Sequence, residues 1–247
     1  MNYWIAFAAF LSGYLLGGIS FARLIGKYAA PGENLLTTEV DIAGSDKKAM
    51  FRGVSATTIG IRKGPKLGCL TSILDAMKVF IPTLVFRLVY PEMDYFLIAA
   101  AAGVAGHNFP IYYKFKGGMG ISPLFGALLV IDWVAIPVTT LISSILGFVV
   151  FKDLFLAYAG TTIVLIPWLW WRFNSLSYVL FAVVVCILFW TAALPTLKGY
   201  FALKRSGEFN KANLLETGHS AKLIEGLKKR GLIKSIQKQN QNTRNTE

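Results

Sequence analysis

Apolar runs of membrane-span length, separated by short polar breaks, dominate the pattern along this chain. They predict seven transmembrane helices, at about 4–25, 67–90, 95–111, 121–132, 134–150, 154–171 and 177–196. The apolar run 121–150 exceeds one span, and Asp132-Trp133, with Pro123 and Pro137 on either side, divides it into two. Gly13, Gly17 and Gly18 on the first span let another helix approach closely. Trp168, Trp170 and Trp171 close the sixth span as an interfacial cluster. The first run has no basic residue ahead of it and no small-residue cleavage site, so it reads as a retained span. A polar segment from Lys27 to Lys66 separates the first two spans, with Pro31-Gly32 and Asp41 to Asp46 as turn signals. A connection of that length is often functional.

Composition agrees with this division. The chain has 247 residues, 55% of them hydrophobic and 15% charged, and its mean hydropathy is +0.54. A water-soluble domain of that balance lacks the polar surface to cover its core, so the expected fold class is an all-α polytopic membrane protein. The net charge of +12 would point to nucleic acid in a soluble protein. Here the basic residues fall almost entirely in alternate connections and in the tail, leaving only Arg87 and Arg172 for the opposite face. That asymmetry places the N-terminus outside and the C-terminus in the cytoplasm, and nucleic acid is not needed to explain the charge. The expected organisation is a seven-span domain over 1–203 and a basic cytoplasmic tail over 204–247. In the tail, Leu223, Ile224 and Leu227 lie at helical spacing beside Lys222, Lys228, Lys229 and Arg230, which suits a helix on the membrane surface. Beyond Lys234 the composition is that of a disordered segment.

Chemistry concentrates in three places on the predicted cytoplasmic face. Gly106-His107-Asn108-Phe109-Pro110 leads through Lys114-Phe115-Lys116 into Gly117-Gly118-Met119-Gly120. Glycines free the backbone to turn its N–H groups toward an anion, and two lysines add charge, so the stretch reads either as a phosphate cradle or as a tight polar hairpin. Asp75 and Lys78 lie three apart on the second span, share a helix face and can pair. A lysine inside a span marks a functional site or a structural ion pair, and both readings stand. The third place is the hydroxyl-rich stretch Arg52 to Arg62. No nucleophile elbow, complete P-loop or His-x4-Asp pair is present, which argues against covalent acyl transfer and nucleotide hydrolysis. Cys69 and Cys186 lie within apolar runs and indicate neither disulfide nor metal, and no cofactor is expected.

The order of these motifs resembles that of the bacterial membrane acyl-phosphate:glycerol-3-phosphate acyltransferases, the PlsY type. Gly17-Gly18-Ile19-Ser20-Phe21-Ala22-Arg23-Leu24-Ile25-Gly26-Lys27, the run Gly64 to Lys78 ending Leu74-Asp75-Ala76-Met77-Lys78, and the stretch Gly106 to Gly120 are each similar to a family element. The resemblance implies transfer of a fatty acyl group from acyl phosphate to the 1-hydroxyl of glycerol 3-phosphate, without an enzyme-bound acyl intermediate, at the plasma membrane with the site facing the cytoplasm. It implies the two phosphate-bearing substrates and membrane lipid as partners, leaving protein partners unknown.

Carried onto this chain, the resemblance gives His107, Asn108, Lys78 and Ser55 as catalytic residues, with His107 and Asn108 shaping the loop. Lys114, Lys116 and the N–H groups of Gly117, Gly118 and Gly120 would hold one phosphate. Lys78 and Arg52 or Arg62 would hold the other, with Ser55, Thr57 and Thr58 as hydroxyl donors. The chain departs from the family pattern at Met119, where the family has lysine, at Thr58 and Phe51, where it has Asn and Ser, and at Leu197 and Tyr200, where it has His and Asn. A catalytically silent relative that binds lipid or acyl phosphate is therefore the alternative, with a transporter behind it.

Overall fold

The computed structural model describes residues 1–29, 37–41, 48–52, 54–151 and 153–205. The anticipated tail from 206 onward, with its interfacial helix, lies outside these residues. The described chain is helical: α1 (Tyr3–Gly17), α2 (Phe21–Ala29), α3 (Ala56–Lys63), α4 (Pro65–Val89), α5 (Tyr95–Asn108), α6 (Ile121–Ile131), α7 (Ala135–Ile145), α8 (Leu154–Phe173) and α9 (Leu176–Arg205). Between α2 and α3 stand two short strands, β1 (Thr37–Asp41) and β2 (Lys48–Arg52), paired as a two-stranded sheet, an addition to the helical frame that the apolar pattern did not anticipate. A helical turn from Leu146 to Val150, wound more loosely than an α-helix, prolongs α7.

The chain divides into two compact units. The larger comprises Met1–Thr37 and Arg52–Pro195 and carries the site; the smaller comprises Thr38–Phe51 and the residues from Thr196.

Among the described residues, three helical segments are long and apolar enough to cross a membrane: Tyr3–Ala29, Pro65–Val89 and Leu176–Lys198. The protein is a helical membrane protein. The first of these segments corrects the expectation of one continuous span over 4–25, because α1 stops at Gly17 and α2 restarts at Phe21. The reason is tertiary. The Ile19 carbonyl at the break accepts a hydrogen bond from Lys78 Nζ, and the Phe21 N–H bonds to the Asp75 carboxylate. The other breaks fall where the pattern put them, including the division at Asp132, whose Oδ1 accepts from Val134 N at 3.2 Å and whose Oδ2 accepts from Trp168 Nε1 at 2.9 Å.

Small residues set the helix packing. α1 lies along α5, and a Cβ on Gly13 or Gly17 would overlap the backbone of Ala99 or Gly103, respectively. Gly106 meets the Tyr14 carbonyl, so the two backbones touch between residues 13 and 18 at the end of α1. Without a hydrophobic force between helices in lipid, such close van der Waals contact holds them together. Gly126 of α6 packs in the same way against Ala76 of α4, and Gly147 against Ala157 of α8. The apolar core between α4, α5, α6, α8 and α9 is built on Val79, Val104, Leu124, Leu128, Leu165 and Val185.

The helices that flank the site differ in length. α4 has 25 residues and α5 only 14. At 1.5 Å per residue these are ~38 Å and ~21 Å long, against a hydrocarbon core of ~30 Å. α4 thus exceeds that thickness and α5 falls short of it.

Candidate functional site

Two side chains one turn apart on α4 form the centre. Lys78 Nζ donates to Asp75 Oδ1 at 2.7 Å, to the Ile19 carbonyl, and to His107 Nδ1 at 3.0 Å. An ammonium has three hydrogens, and here each has an acceptor. Asp75 Oδ1 also stands 3.8 Å from His107 Nδ1. Both members of the pair are buried, with side-chain exposures of 3% for Lys78 and 2% for Asp75. The ring of Phe21 covers the ammonium at 6.0 Å. This knot ties the α1–α2 break, α4 and α5 together, and all of its charge is matched inside the protein.

His107 connects the knot to the loop. With Nδ1 accepting from Lys78, the imidazole proton resides on Nε2. Nε2 faces Gly118 so closely that a Cβ there would collide with it. Gly118 N also donates to the His107 carbonyl at 3.2 Å, and Gly117 packs on the carbonyls of His107 and Asn108. Glycine at 117 and 118 is thus demanded by close approach to α5. Only Gly120, at φ +91°, uses a left-handed backbone. Asn108 secures the other side: its Nδ2 donates to the Leu188 carbonyl of α9 at 3.0 Å, and its buried Oδ1 lies against Gly120.

The approach to the glycines is strained. Lys114 and Phe115 both hold left-handed backbones, at φ 53° and 59°. Neither is glycine, and each such residue costs ~1–2 kcal/mol. The turn is closed by Phe115 N donating to the Pro110 carbonyl at 3.0 Å and Lys116 N to that of Tyr113 at 3.1 Å. Strain retained by surrounding bonds is common at ligand-binding turns. The loop's outer edge is held by Tyr14 Oη, which donates to the Phe109 carbonyl at 2.7 Å, and by Arg23 Nη2, which donates to the Lys116 carbonyl at 2.6 Å.

What the loop offers a ligand is backbone hydrogen and positive charge. Among the described residues, the N–H groups of Gly117, Met119 and Gly120 have no acceptor, whereas that of Gly118 is used internally. Gly120 is also the N-cap of α6, whose first turn presents the N–H groups of Ile121 and Ser122. The side chains of Lys114 and Lys116 are exposed. Ser122 Oγ donates to Ser72 Oγ at 3.4 Å, linking this helix start to α4.

A match along most of the chain now bears on these features: the glycerol-3-phosphate acyltransferase family model covers residues 7–203. The chain belongs to the glycerol-3-phosphate acyltransferase family. A glycerol-3-phosphate acyltransferase of Rhodopseudomonas palustris is 30% identical over 200 residues, covering 81% of this chain and 84% of that relative. One from Pseudothermotoga lettingae is 29% identical over 140 residues, covering 53% of this chain and 64% of that relative, so the chain spans under two thirds of its length. The fold is similar to that of PlsY, an integral membrane glycerol 3-phosphate acyltransferase whose crystal structure was determined in its glycerol 3-phosphate form. The TM-score is 0.64 at 23% identity, covering 80% of this chain and 92% of that one.

Of the expected site residues of this family member, the structure brings His107 and Asn108 against the glycine loop and Lys78 against His107. Ser55 is the N-cap of α3, its Oγ accepting from Thr58 N at 3.4 Å. Thr57 is exposed, Thr58 is 3% exposed, and Arg62 lies in the last turn of α3. α3 meets α4 where Gly60 faces Gly68. Arg52 closes β2, and its side chain lies outside the described residues. Sequence reasoning did not assign Arg23 or Tyr14 to the site. For Arg23 no signal stood out, because an arginine at the end of an apolar run is ordinary at a membrane interface, unlike Lys78 within one.

Proposed function

We propose that this protein transfers a fatty acyl group from acyl phosphate to the 1-hydroxyl of glycerol 3-phosphate, giving lysophosphatidic acid for phospholipid synthesis. The observation that carries this reading is the family match over residues 7–203, a stretch that contains every element of the glycine-loop site. The hydroxyl oxygen attacks the acyl carbonyl carbon, a new ester bond forms, and the bond from that carbon to the phosphate oxygen breaks. Inorganic phosphate leaves and carries the hydroxyl proton. The donor arrives already activated, so the protein's task is to hold two anions side by side with the hydroxyl aimed at the carbonyl.

The free N–H groups of Gly117, Met119 and Gly120, the first turn of α6, and Lys114 and Lys116 serve one phosphate. Ser55, Thr57, Thr58, Arg52 and Arg62 lie in the segment that serves the other. Lys78, whose three hydrogens are occupied, acts with His107 as the support that fixes the loop rather than as a phosphate ligand.

In this reading the spans are α1, α4, α5, α6, α7, α8 and α9, within a membrane domain over 1–203. The N-terminus is outside, and the glycine loop and the basic tail of 204–247 are at the cytoplasmic face of the plasma membrane. The charge asymmetry supports this orientation, and α2, with Arg23 and Lys27 among Phe21, Leu24 and Ile25, is suited to the interface. Purified full-length protein in nanodiscs, given acyl phosphate and glycerol 3-phosphate, is expected to release inorganic phosphate and form lysophosphatidic acid. Saturable acyl-phosphate binding with no release at any acyl length or pH would overturn the reading and leave a silent binding protein.

A further inference from the structure

We infer that Arg23 binds the substrate phosphate held at the glycine loop, supplying from α2 the cation that the loop's own residues 117–120 do not carry. The inference rests on the acyltransferase reading for the identity of the phosphate, and on geometry for the rest. Beyond Lys116 the loop reads Gly117-Gly118-Met119-Gly120, without a charged side chain. Arg23 sits in the first turn of α2, just past the break that the Asp75–Lys78 knot creates. Its Nη2 donates to the Lys116 carbonyl at 2.6 Å, the last peptide before the glycines. Its guanidinium lies over the Tyr113 ring, 4.5 Å from the centroid. The group is therefore oriented from two sides and held against the loop.

It is also under-used. A guanidinium has five N–H donors. Nη2 serves Lys116, and Nε is buried with no acceptor among the described residues. The ion pairs among those residues use Asp75 with Lys78 and His107, and among the described residues Arg23 has no ion-pair partner. A half-buried arginine held in place, with donors left over and no counter-ion, is matched by a planar or tetrahedral oxyanion. The exposed lysines at 114 and 116 and the free N–H groups of Gly117 and Met119 lie along the same loop. The ligand chemistry is a phosphate group, which both acyl phosphate and glycerol 3-phosphate carry.

The experiment uses the full chain in nanodiscs, with inorganic phosphate as the probe and calorimetry as the readout. Arg23→Gln is expected to raise the phosphate Kd about 10- to 100-fold, the range for losing a hydrogen-bonded charge, while the phosphate-free unfolding temperature stays close to that of the parent. A folded Arg23→Gln protein with an unchanged phosphate Kd overturns the inference. Should that variant not fold, Arg23→Lys keeps the charge and breaks the fork: a weakened Kd supports the inference and an unchanged one overturns it. Displacement of bound phosphate by glycerol 3-phosphate alone assigns the group to the acceptor, and by acyl phosphate alone to the donor. Displacement by neither overturns the inference. Arg23-dependent phosphate binding in a protein with no turnover supports Arg23 and removes the acyltransferase reading. Turnover with an unaltered KM for both substrates in Arg23→Gln does the reverse.

Discussion

Lys78 Nζ lies 3.0 Å from His107 Nδ1, and through that contact a buried ion pair on α4 sets the ring that supports the glycine loop. The pair also closes the break between α1 and α2, since Ile19 and Phe21 each give it a backbone group. One cluster thus joins three segments that are far apart in the sequence.

Breaking this cluster from one side is expected to be severe. Lys78→Met leaves the Asp75 carboxylate buried without a counter-charge, which costs about 3–5 kcal/mol. Asp75→Asn combined with Lys78→Met is expected to recover part of that loss. A neutral amide oxygen still accepts from the Phe21 N–H and needs no cation. Thermal unfolding of the two variants in the same detergent checks the order; equal destabilisation would show that the charge balance is not what Lys78 supplies.

Gly118→Ala tests the contact between the ring and the loop. The added methyl meets His107 Nε2, so either the imidazole tilts away from Lys78 or the loop moves outward. Displacement of about 1 Å at a positioned site can cost about 100-fold in rate. The expected outcome is a fall of that order in kcat/KM for phosphate release, with the helical circular dichroism retained. The same change at Gly64 has no neighbour within 4 Å to meet, although its φ of +100° is strained. Gly64→Ala should therefore cost about 1–3 kcal/mol in stability and leave kcat/KM alone.

The structure explains which parts of this arrangement could be read from residue order. Asp75 and Lys78 announce their pairing by spacing, and Gly13 and Gly17 announce a close helix contact, because both effects are local to one helix face. The α1–α2 break does not announce itself. The run from residue 4 to 22 is apolar apart from Ser12 and Ser20, and the backbone at the break is met by a pair of side chains more than fifty positions later. The glycine loop was legible as a feature but not in its cause. Flexibility was the expected reason for Gly117 and Gly118, whereas α5 packs against both so closely that no side chain fits. The left-handed turn falls instead on Lys114 and Phe115, residue types that give no hint of it. Arg23 entered the charge pattern only as part of an orientation signal, since its link to Lys116 joins positions 93 apart.

Packing between α1 and α5 should control activity as well as stability. Gly17→Ala places a methyl into the Gly103 carbonyl, and the two backbones must separate. Overpacking of this kind costs about 1–3 kcal/mol. Because Ile19 and His107 lie at the same ends of these helices, the separation also pulls at both partners of Lys78. The expected result is a lowered unfolding temperature together with a lowered kcat/KM, measured on the same nanodisc preparation. A loss of stability with full activity would mean that the loop is positioned independently of α1.

Met119→Lys puts a side-chain cation where the glycine run now has only its backbone. Met119 is half-buried, and among the described residues its N–H has no acceptor, so the backbone at this position is available to a ligand. An ammonium added beside that N–H interacts with a phosphate by charge, and a charge-assisted bond contributes about 1.5–3 kcal/mol. If Arg23 already supplies the missing cation, most of that gain is redundant in the parent protein and appears in full only when Arg23 is lost. The expected pattern is a fall of a few-fold in the KM for one phosphate substrate in Met119→Lys alone, and a larger relative recovery when Met119→Lys is added to Arg23→Gln. Steady-state kinetics on the four proteins of this cycle measure the coupling. Strictly additive effects would mean that the two positions act on different phosphates, with Arg23 on one substrate and the glycine run on the other.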